Sequence, residues 1–286
     1  MKRRTALITV GGTVLVAAGL VVAVPNLMHP GHPHHADSRA LASTISATHP
    51  APQATPAPGT PAAGSGAAPS SRFNLADWEL QLPTGPQGDP TTISPTALTG
   101  GYTNQDYFFL NSAGQMTFWA PENGVHTPHS QYGRSELRQM NPDGSLAEWK
   151  VTENHTLSAT VAVPDVTKRV CVGQVHLGTG GPSTKVVTEL FYDADGQITL
   201  GVAKSPDGGQ TMYPLGTVAL GQNWTYSITV DNHRLRVSVN GTETSYPIPA
   251  SFDRYNVYFK AGSYNQSSSD SATNGARVEF SALSLS

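Results

Sequence analysis

The chain has a single cysteine, Cys171, in 286 residues, and little charge of either sign, with 17 Lys and Arg against 20 Asp and Glu. One thiol cannot close an internal disulfide, so packing and hydrogen bonds alone must hold the fold. A chain without basic excess lacks the electrostatic footprint of nonspecific nucleic-acid binding. No segment carries a long helical period, no internal repeat is visible, and no spacing of His, Cys, Asp and Glu resembles a metal-ligand pattern. Helical and repeat architectures are set aside, and neither a metal nor a cofactor is expected.

Long apolar runs are confined to one place. Lys2, Arg3 and Arg4 precede an uncharged, mostly apolar stretch over residues 5–24. That is the layout of a secretory signal, and at roughly 20 residues it is also long enough to span a bilayer. Val21-Val22-Ala23 offers a cleavage site after Ala23. Residues 1–25 are therefore expected to be a signal peptide or an N-terminal membrane anchor. Either puts the remainder outside the cytoplasm, secreted or held at the outer face of the membrane. Contact with the membrane is expected only if the segment stays uncleaved.

Residues 26–71 are rich in Pro, Ala, Gly, Ser, Thr and His and show no periodicity. Such a stretch buries too little apolar surface to offset its ordering entropy, so a disordered linker is expected. His29, His32, His34 and His35 read as solvated side chains within it. Residues 72–286 remain as one all-β domain. Without Lys2, Arg3, Arg4, Arg39 and Asp37 that part keeps 13 basic and 19 acidic residues, a net charge of about −6 with His neutral. An anionic ligand would have to be attracted by a local basic patch.

Within the domain, short apolar or alternating runs are separated by turn residues. Strands are expected over 73–82, 107–110, 115–120, 134–140, 155–163, 169–177, 185–192, 197–203, 224–230, 235–239, 242–248, 256–266 and 276–285. Asp193-Ala194-Asp195-Gly196 and Asp231–Arg234 read as hairpin turns. Many short strands with Gly, Pro and Asn turns argue for a sandwich or jelly roll, with helix limited to a turn or two.

Three of these strands place chemistry on one face. In Y-F-K-A-G-S-Y-N-Q at 258–266, alternation puts Tyr258, Lys260, Gly262, Tyr264 and Gln266 on one side and Phe259, Ala261 and Ser263 on the other. In R-S-E-L-R at 134–138, Arg134, Glu136 and Arg138 share a face. In Q-V-H at 174–176, Gln174 and His176 share a face, and strict alternation turns Val175, Leu177 and Cys171 toward the core, Cys171 as a buried, inert thiol. Two phenols, an ammonium, two guanidiniums and two amides are costly to bury unpaired and natural in a wet groove. Taken singly, each strand also fits a solvated polar face.

Together the set suits β-elimination on a uronic-acid polymer. A base removes the proton on C5, beside the carboxylate, and the carbanion spreads its charge into that carboxylate. Arg, Gln and neutral His can stabilise the charge where it develops. Tyr or His takes the proton, and Tyr can protonate the departing O4. A Tyr with a reference pKa of about 10 needs help to act as a base. Arg134, Arg138 and Lys260 are the expected helpers.

R-S-E-L-R, Q-V-H and Y-F-K-A-G-S-Y-N-Q, in this order, closely resemble the three signature blocks of the polysaccharide lyase family 7 alginate lyases. D-W-E-L-Q-L-P at 77–83 and F-W-A-P-E-N-G at 118–124 also resemble that family, and the likeness covers 72–286. It implies a jelly-roll sandwich of two antiparallel sheets with a concave substrate groove, and cleavage of alginate, an anionic polysaccharide, into unsaturated oligosaccharides. By position, Arg134, Gln174, His176 and Tyr264 match the catalytic group. Glu136, Arg138, Lys260 and Gln266 match substrate-binding and groove-supporting positions, and Tyr258 joins them on the same face. The resemblance gives Tyr the acid role and also the base role on mannuronate, with His as the base on guluronate. Val175, at the middle of Q-V-H, leans the preference toward mannuronate blocks, through an indirect influence if it faces the core. A monomer is expected.

Two rival functions share the architecture. A glycoside hydrolase needs a pair of carboxylates, one held protonated. Glu136 between two arginines is poorly suited to that, and Glu189 has no local partner in sequence. A non-catalytic carbohydrate-binding module would need the groove but not both His176 and Tyr264. Residues 122–132 and 178–184, rich in Gly, Pro and small polar residues, are candidate loops over the groove.

Overall fold

A computed structural model describes residues 66–182 and 184–286. The signal or anchor segment, the His cluster and the linker up to residue 65 lie outside the described residues. The strands are β1 (Trp78–Gln81), β2 (Thr92–Ile93), β3 (Phe108–Leu110), β4 (Met116–Pro121), β5 (Arg134–Gln139), β6 (His155–Val166), β7 (Arg169–Leu177), β8 (Val186–Asp193), β9 (Gln197–Ser205), β10 (Gly208–Thr217), β11 (Trp224–Asp231), β12 (Arg234–Val239), β13 (Thr242–Pro247), β14 (Val257–Asn265) and β15 (Gly275–Leu285). They form two antiparallel sheets. One has eight strands in the order β10-β9-β8-β7-β14-β5-β1-β2, the other seven in the order β13-β12-β11-β6-β15-β4-β3. This is the expected jelly-roll sandwich.

Alternation builds the core between the sheets. Leu80, Leu137, Val175, Phe259 and Ala261 of the eight-stranded sheet are wholly buried and pack in one cluster with Phe118, Val161, Ile228, Val237 and Phe280 of the other. Helix is limited to α1 (Pro95–Thr99), capped by the Ser94 hydroxyl on the Ala97 N–H, and to 3-10 turns at Pro69–Ser71 and Ala250–Phe252.

Both expected hairpins form. Asn232 and His233 adopt φ of 44° and 65° between β11 and β12, the left-handed pair that a tight two-residue connection needs.

Besides the two-residue β2, which was not expected, three departures from the expected pattern stand out. The first strand begins at Trp78, five residues later than its apolar run. β10 is ten residues long and was not expected, because Pro214 and Gly216 argue against a strand. It is tolerated because β10 is an edge strand, with a register shift between Pro214 and Gly216 of the kind that lets an edge accept proline. The third departure is on β7. Its pairing with β8 shifts between Cys171 and Gly173, and its pairing with β14 shifts between Ala261 and Tyr264. The Val172 carbonyl there accepts the Tyr226 hydroxyl from the facing sheet at 2.9 Å. Val170 and Val172 both join the core, while Cys171 stands opposite Tyr264 and Phe191. Cys171 is therefore on the groove side, not the core side that strict alternation gave it. It is completely buried there, and burial pushes its thiol pKa well above the usual value, which keeps it inert as expected.

Candidate active site

β7, β14 and β5 are neighbours in the eight-stranded sheet. Lys260 pairs with both Arg138 and Gln174, Tyr258 with His176, Gly262 with Glu136, and Tyr264 with Arg134. Directly paired residues point to the same face, so the three polar faces merge into one. Arg134, Arg138, Gln174, His176, Tyr258, Lys260 and Tyr264 line a single cavity on it. Gln266 lies outside that lining and folds its amide back onto the Tyr264 and Asn265 carbonyls.

Glu136 is the floor of the site and has no exposed surface. Its carboxylate lies 2.5 Å from Lys260 Nζ and 3.6 Å from Arg134 Nη1, and accepts a hydrogen bond from Gln174 Nε2 at 2.6 Å. Burial opposes its ionisation, yet Lys260 and Arg134 together hold its pKa below the ordinary carboxylate value. A wholly covered, ionised carboxylate cannot reach a glycosidic oxygen as an acid, which removes the hydrolase reading built on it. It also cannot touch a polymer, so its part is to support the groove. Gly262 makes this packing possible. Its φ is 148°, and a Cβ there would come within 2.7 Å of both the Glu136 Cα and the Ser135 carbonyl.

One anion beneath two cations leaves a surplus positive charge on the groove face. Arg134 Nε finds no hydrogen-bond partner among the described residues. Lys260 is almost buried and its pKa falls to about 8, because burial outweighs Glu136, so it is still mostly charged at neutral pH. Arg138 is already neutralised. It donates to Glu148 Oε1 at 3.0 Å and to the Gln139 carbonyl at 2.9 Å, and its guanidinium carbon lies over the Tyr258 ring at 3.9 Å. The local basic patch required by the acidic overall charge is thus centred on Arg134 and Lys260.

His176 and Tyr264 carry the proton-transfer chemistry. His176 Nδ1 is 2.8 Å from the Leu177 carbonyl. A carbonyl only accepts, so Nδ1 bears the proton and Nε2 keeps its lone pair. Burial, reinforced by Lys260, lowers the His176 pKa to about 4, so the ring is neutral. Tyr258 stacks on it at 5.3 Å with its hydroxyl 3.2 Å from Nδ1. The Tyr264 ring lies beneath the Arg134 guanidinium at 3.9 Å, and its hydroxyl is 3.0 Å from Ser130 Oγ. The expected lowering of its pKa by the surrounding cations is not found. Burial raises it, and Arg134 offsets that only in part. Tyr264 is a protonated phenol, poised as a donor.

Several lining residues were not assigned to the groove from the sequence, Glu189 having been weighed only as a hydrolase carboxylate. Glu79 and Gln81 of β1 pair with Arg138 and Glu136, and the alternation of D-W-E-L-Q-L already placed them on one face. Glu189 of β8 pairs with Gln174 and accepts from Gln210 Nε2 at 2.7 Å. Burial raises the pKa of both Glu79 and Glu189, and nearby Lys260 counters it at each. His129 and Ser130 come from residues 122–132, the segment expected as a loop over the groove, within which nothing in the sequence singled them out. Among the described residues, no group of three or more His, Cys, Asp or Glu could hold a metal ion.

A family model described as alginate lyase matches residues 73–286. An alginate lyase of Klebsiella pneumoniae is 28% identical over 263 residues, covering 70% of this chain and 84% of that protein. The crystal structure of alginate lyase A1-II′, a member of polysaccharide lyase family 7, is similar with 33% identity and a TM-score of 0.69, covering 77% of this chain and 98% of its own. Alginate lyase PA1167 from Pseudomonas aeruginosa gives 33% identity and a TM-score of 0.69 over 75% of this chain and 99% of its own.

Proposed function

The chain belongs to the alginate lyases of polysaccharide lyase family 7, and from that premise we propose how its groove works. It cleaves the 1,4-glycosidic bond of alginate by β-elimination, giving unsaturated oligosaccharides. Arg134 receives the uronate carboxylate, aided by the second N–H of the Gln174 amide and by Lys260. Their positive charge lowers the energy of the enolate-like intermediate. His176, neutral and with Nε2 unprotonated, takes the C5 proton of guluronate. Tyr264 gives its proton to the departing O4; on mannuronate its oxygen takes the C5 proton as it hands its own to O4, so the phenol is regenerated in the same step. The observation that carries this reading is the pairing of a neutral imidazole with a protonated phenol beside a surplus cation. A variant of A1-II′ has been crystallised with a substrate, GGMG, which supports an alginate chain as the occupant of the corresponding groove here.

The pH dependence tests the assignment. With polyguluronate, kcat/KM should stay level as the pH falls through 6.5, the ordinary value for His, and drop only near 4, where His176 gains its proton. On the alkaline side it should fall through about 8 as Lys260 loses its charge. An acid limb centred near 6.5 would remove His176 as the base.

For block preference we carry Val175 toward mannuronate. Val175 is fully buried behind Gln174 and His176, so it acts through the depth at which they sit. A higher rate on polymannuronate than on polyguluronate is expected in the same assay, and the reverse order would discard that preference. Residues 1–25 are proposed to export the catalytic part, as a cleaved signal or an anchor, to where the polymer is met, and the enzyme is proposed to act as a monomer.

A further inference from the structure

The Tyr264 hydroxyl has a polar neighbour that does not come from the sheet. Ser130 Oγ, 134 positions away in sequence, lies 3.0 Å from it and lines the same cavity. The Ser130 hydroxyl is itself fixed. It accepts the Tyr132 N–H at 3.1 Å and lies 3.2 Å from the Tyr132 carbonyl, while the Tyr132 ring meets Tyr264 edge-on at 6.3 Å. One hydroxyl proton therefore has two acceptors in reach, the Tyr132 carbonyl and the Tyr264 oxygen.

We propose that Ser130 is a positioning residue of the elimination, accepting a hydrogen bond from the Tyr264 phenol at rest and donating one to its phenolate once the phenol proton has left. The role rests on Tyr264 acting as the acid. As the C4–O4 bond breaks, the Tyr264 O–H bond breaks with it. The proton goes to O4 and the electron pair stays on the phenolate oxygen. Ser130 then turns its own O–H from the Tyr132 carbonyl to that oxygen. Afterwards a water proton restores the phenol, and His176 releases the C5 proton to solvent. Arg134 cannot replace Ser130 here, because it lies over the ring face and its attraction is to the π system. A hydrogen bond to an anionic oxygen is roughly twice as strong as a neutral one, so Ser130 holds the product state of proton transfer more tightly than the starting state.

The charged and titratable groups acting on Tyr264 are Arg134 and Glu136 of β5 and Glu189 of β8. Cys171 of β7 lies opposite it, and Tyr132 lies at its edge. None of these donates a hydrogen bond to its oxygen. The Ser130 contact lowers the phenol pKa against the rise caused by burial, so its loss should raise that pKa further.

The test uses the full chain with Ser130→Ala, Ser130→Gly and Ser130→Thr, assayed on polyguluronate. Tyr264 is titrated by NMR of ring-labelled tyrosine, its signal identified by its loss in Tyr264→Phe. Ala and Gly should lower kcat on the order of 10- to 100-fold, the value of a hydrogen bond to a charged group, with KM unchanged and the Tyr264 pKa moved up. Thr, which keeps the hydroxyl, should restore both. A wild-type kcat in Ser130→Ala, an unmoved Tyr264 pKa, or a loss that Thr does not rescue would overturn the role of Ser130 alone. If the wild-type chain gives no unsaturated product, the elimination itself fails and this role falls with it.

Discussion

Replacing Tyr264 with phenylalanine should leave the protein folded and able to hold alginate while lowering kcat on the order of 10²- to 10⁴-fold, the range for a lost general acid. The substitution removes one oxygen. The ring keeps its place under Arg134 at 3.9 Å and its edge contact with Tyr132, so the groove wall is preserved. The cations that attract the polymer, Arg134 and Lys260, are untouched, and KM should change little. What disappears is a proton that burial holds on the phenol at neutral pH and that O4 needs as its bond to C4 breaks. A general acid matters only in the transition state, so its loss should appear in kcat and kcat/KM alike. Steady-state kinetics with affinity electrophoresis in alginate gels would separate the two effects. Turnover equal to wild type would exclude Tyr264 as the acid, and loss of binding with turnover per bound chain retained would recast it as a binding residue.

The largest effect on stability is expected at Glu136. Glu136→Gln keeps the shape and removes the charge that faces Lys260 and Arg134, both buried. Breaking a buried ion pair by taking one partner away costs about 3–5 kcal/mol. In a domain of this size that is a fall in Tm on the order of 10 °C. Part of the strain should be relieved by Lys260. Glu136 raises its pKa toward about 8, so without Glu136 the amine should be largely neutral at pH 7. Activity would then fall as well, because half of the cationic patch is gone. The pH dependence isolates the pair. Glu136 is held below the ordinary carboxylate value in the folded state, so folding favours its ionised form. Its contribution is complete above about 4.5 and is lost as the pH falls through the lower folded value. The gap in unfolding free energy between wild type and Glu136→Gln, measured by urea titration, should therefore be wide at pH 7 and should narrow as the pH falls from the ordinary carboxylate value through the lower folded one. A gap that is small at neutral pH, or that does not change with pH, would contradict a buried pair that stabilises the sheet.

These effects also mark what alternation alone can reveal. The faces of β5 and β14 followed from the period of two in R-S-E-L-R and Y-F-K-A-G-S-Y-N-Q, and their registers place Arg134, Lys260 and Tyr264 together. Depth along the surface normal was not legible. Glu136 shares a face with Arg134 yet is the most covered group in the site, because Lys260, Gln174 and Arg134 close over it. Burial also reversed the expected direction for Tyr264, since desolvation outweighs the neighbouring guanidinium. Cys171 fell on the other face because a bulge resets the period, and nothing in R-V-C-V-G-Q-V announces that the Val172 carbonyl is taken by Tyr226 of the opposite sheet. β10 was hidden by Pro214 and Gly216, which are breakers in a central strand and tolerable at an edge. Ser130 belongs to a loop, and only the folded chain brings it to a tyrosine 134 positions away.

The central claim is that this groove breaks glycosidic bonds by elimination through Tyr264 and His176. The most direct test follows absorbance in the unsaturated-uronate band while the purified full chain acts on polymannuronate and on polyguluronate, with reducing ends counted in parallel. The account predicts that absorbance rises on alginate blocks in step with the new reducing ends, one double bond for each bond cut. New reducing ends without any rise in absorbance would mean hydrolysis, and would contradict the mechanism at its root.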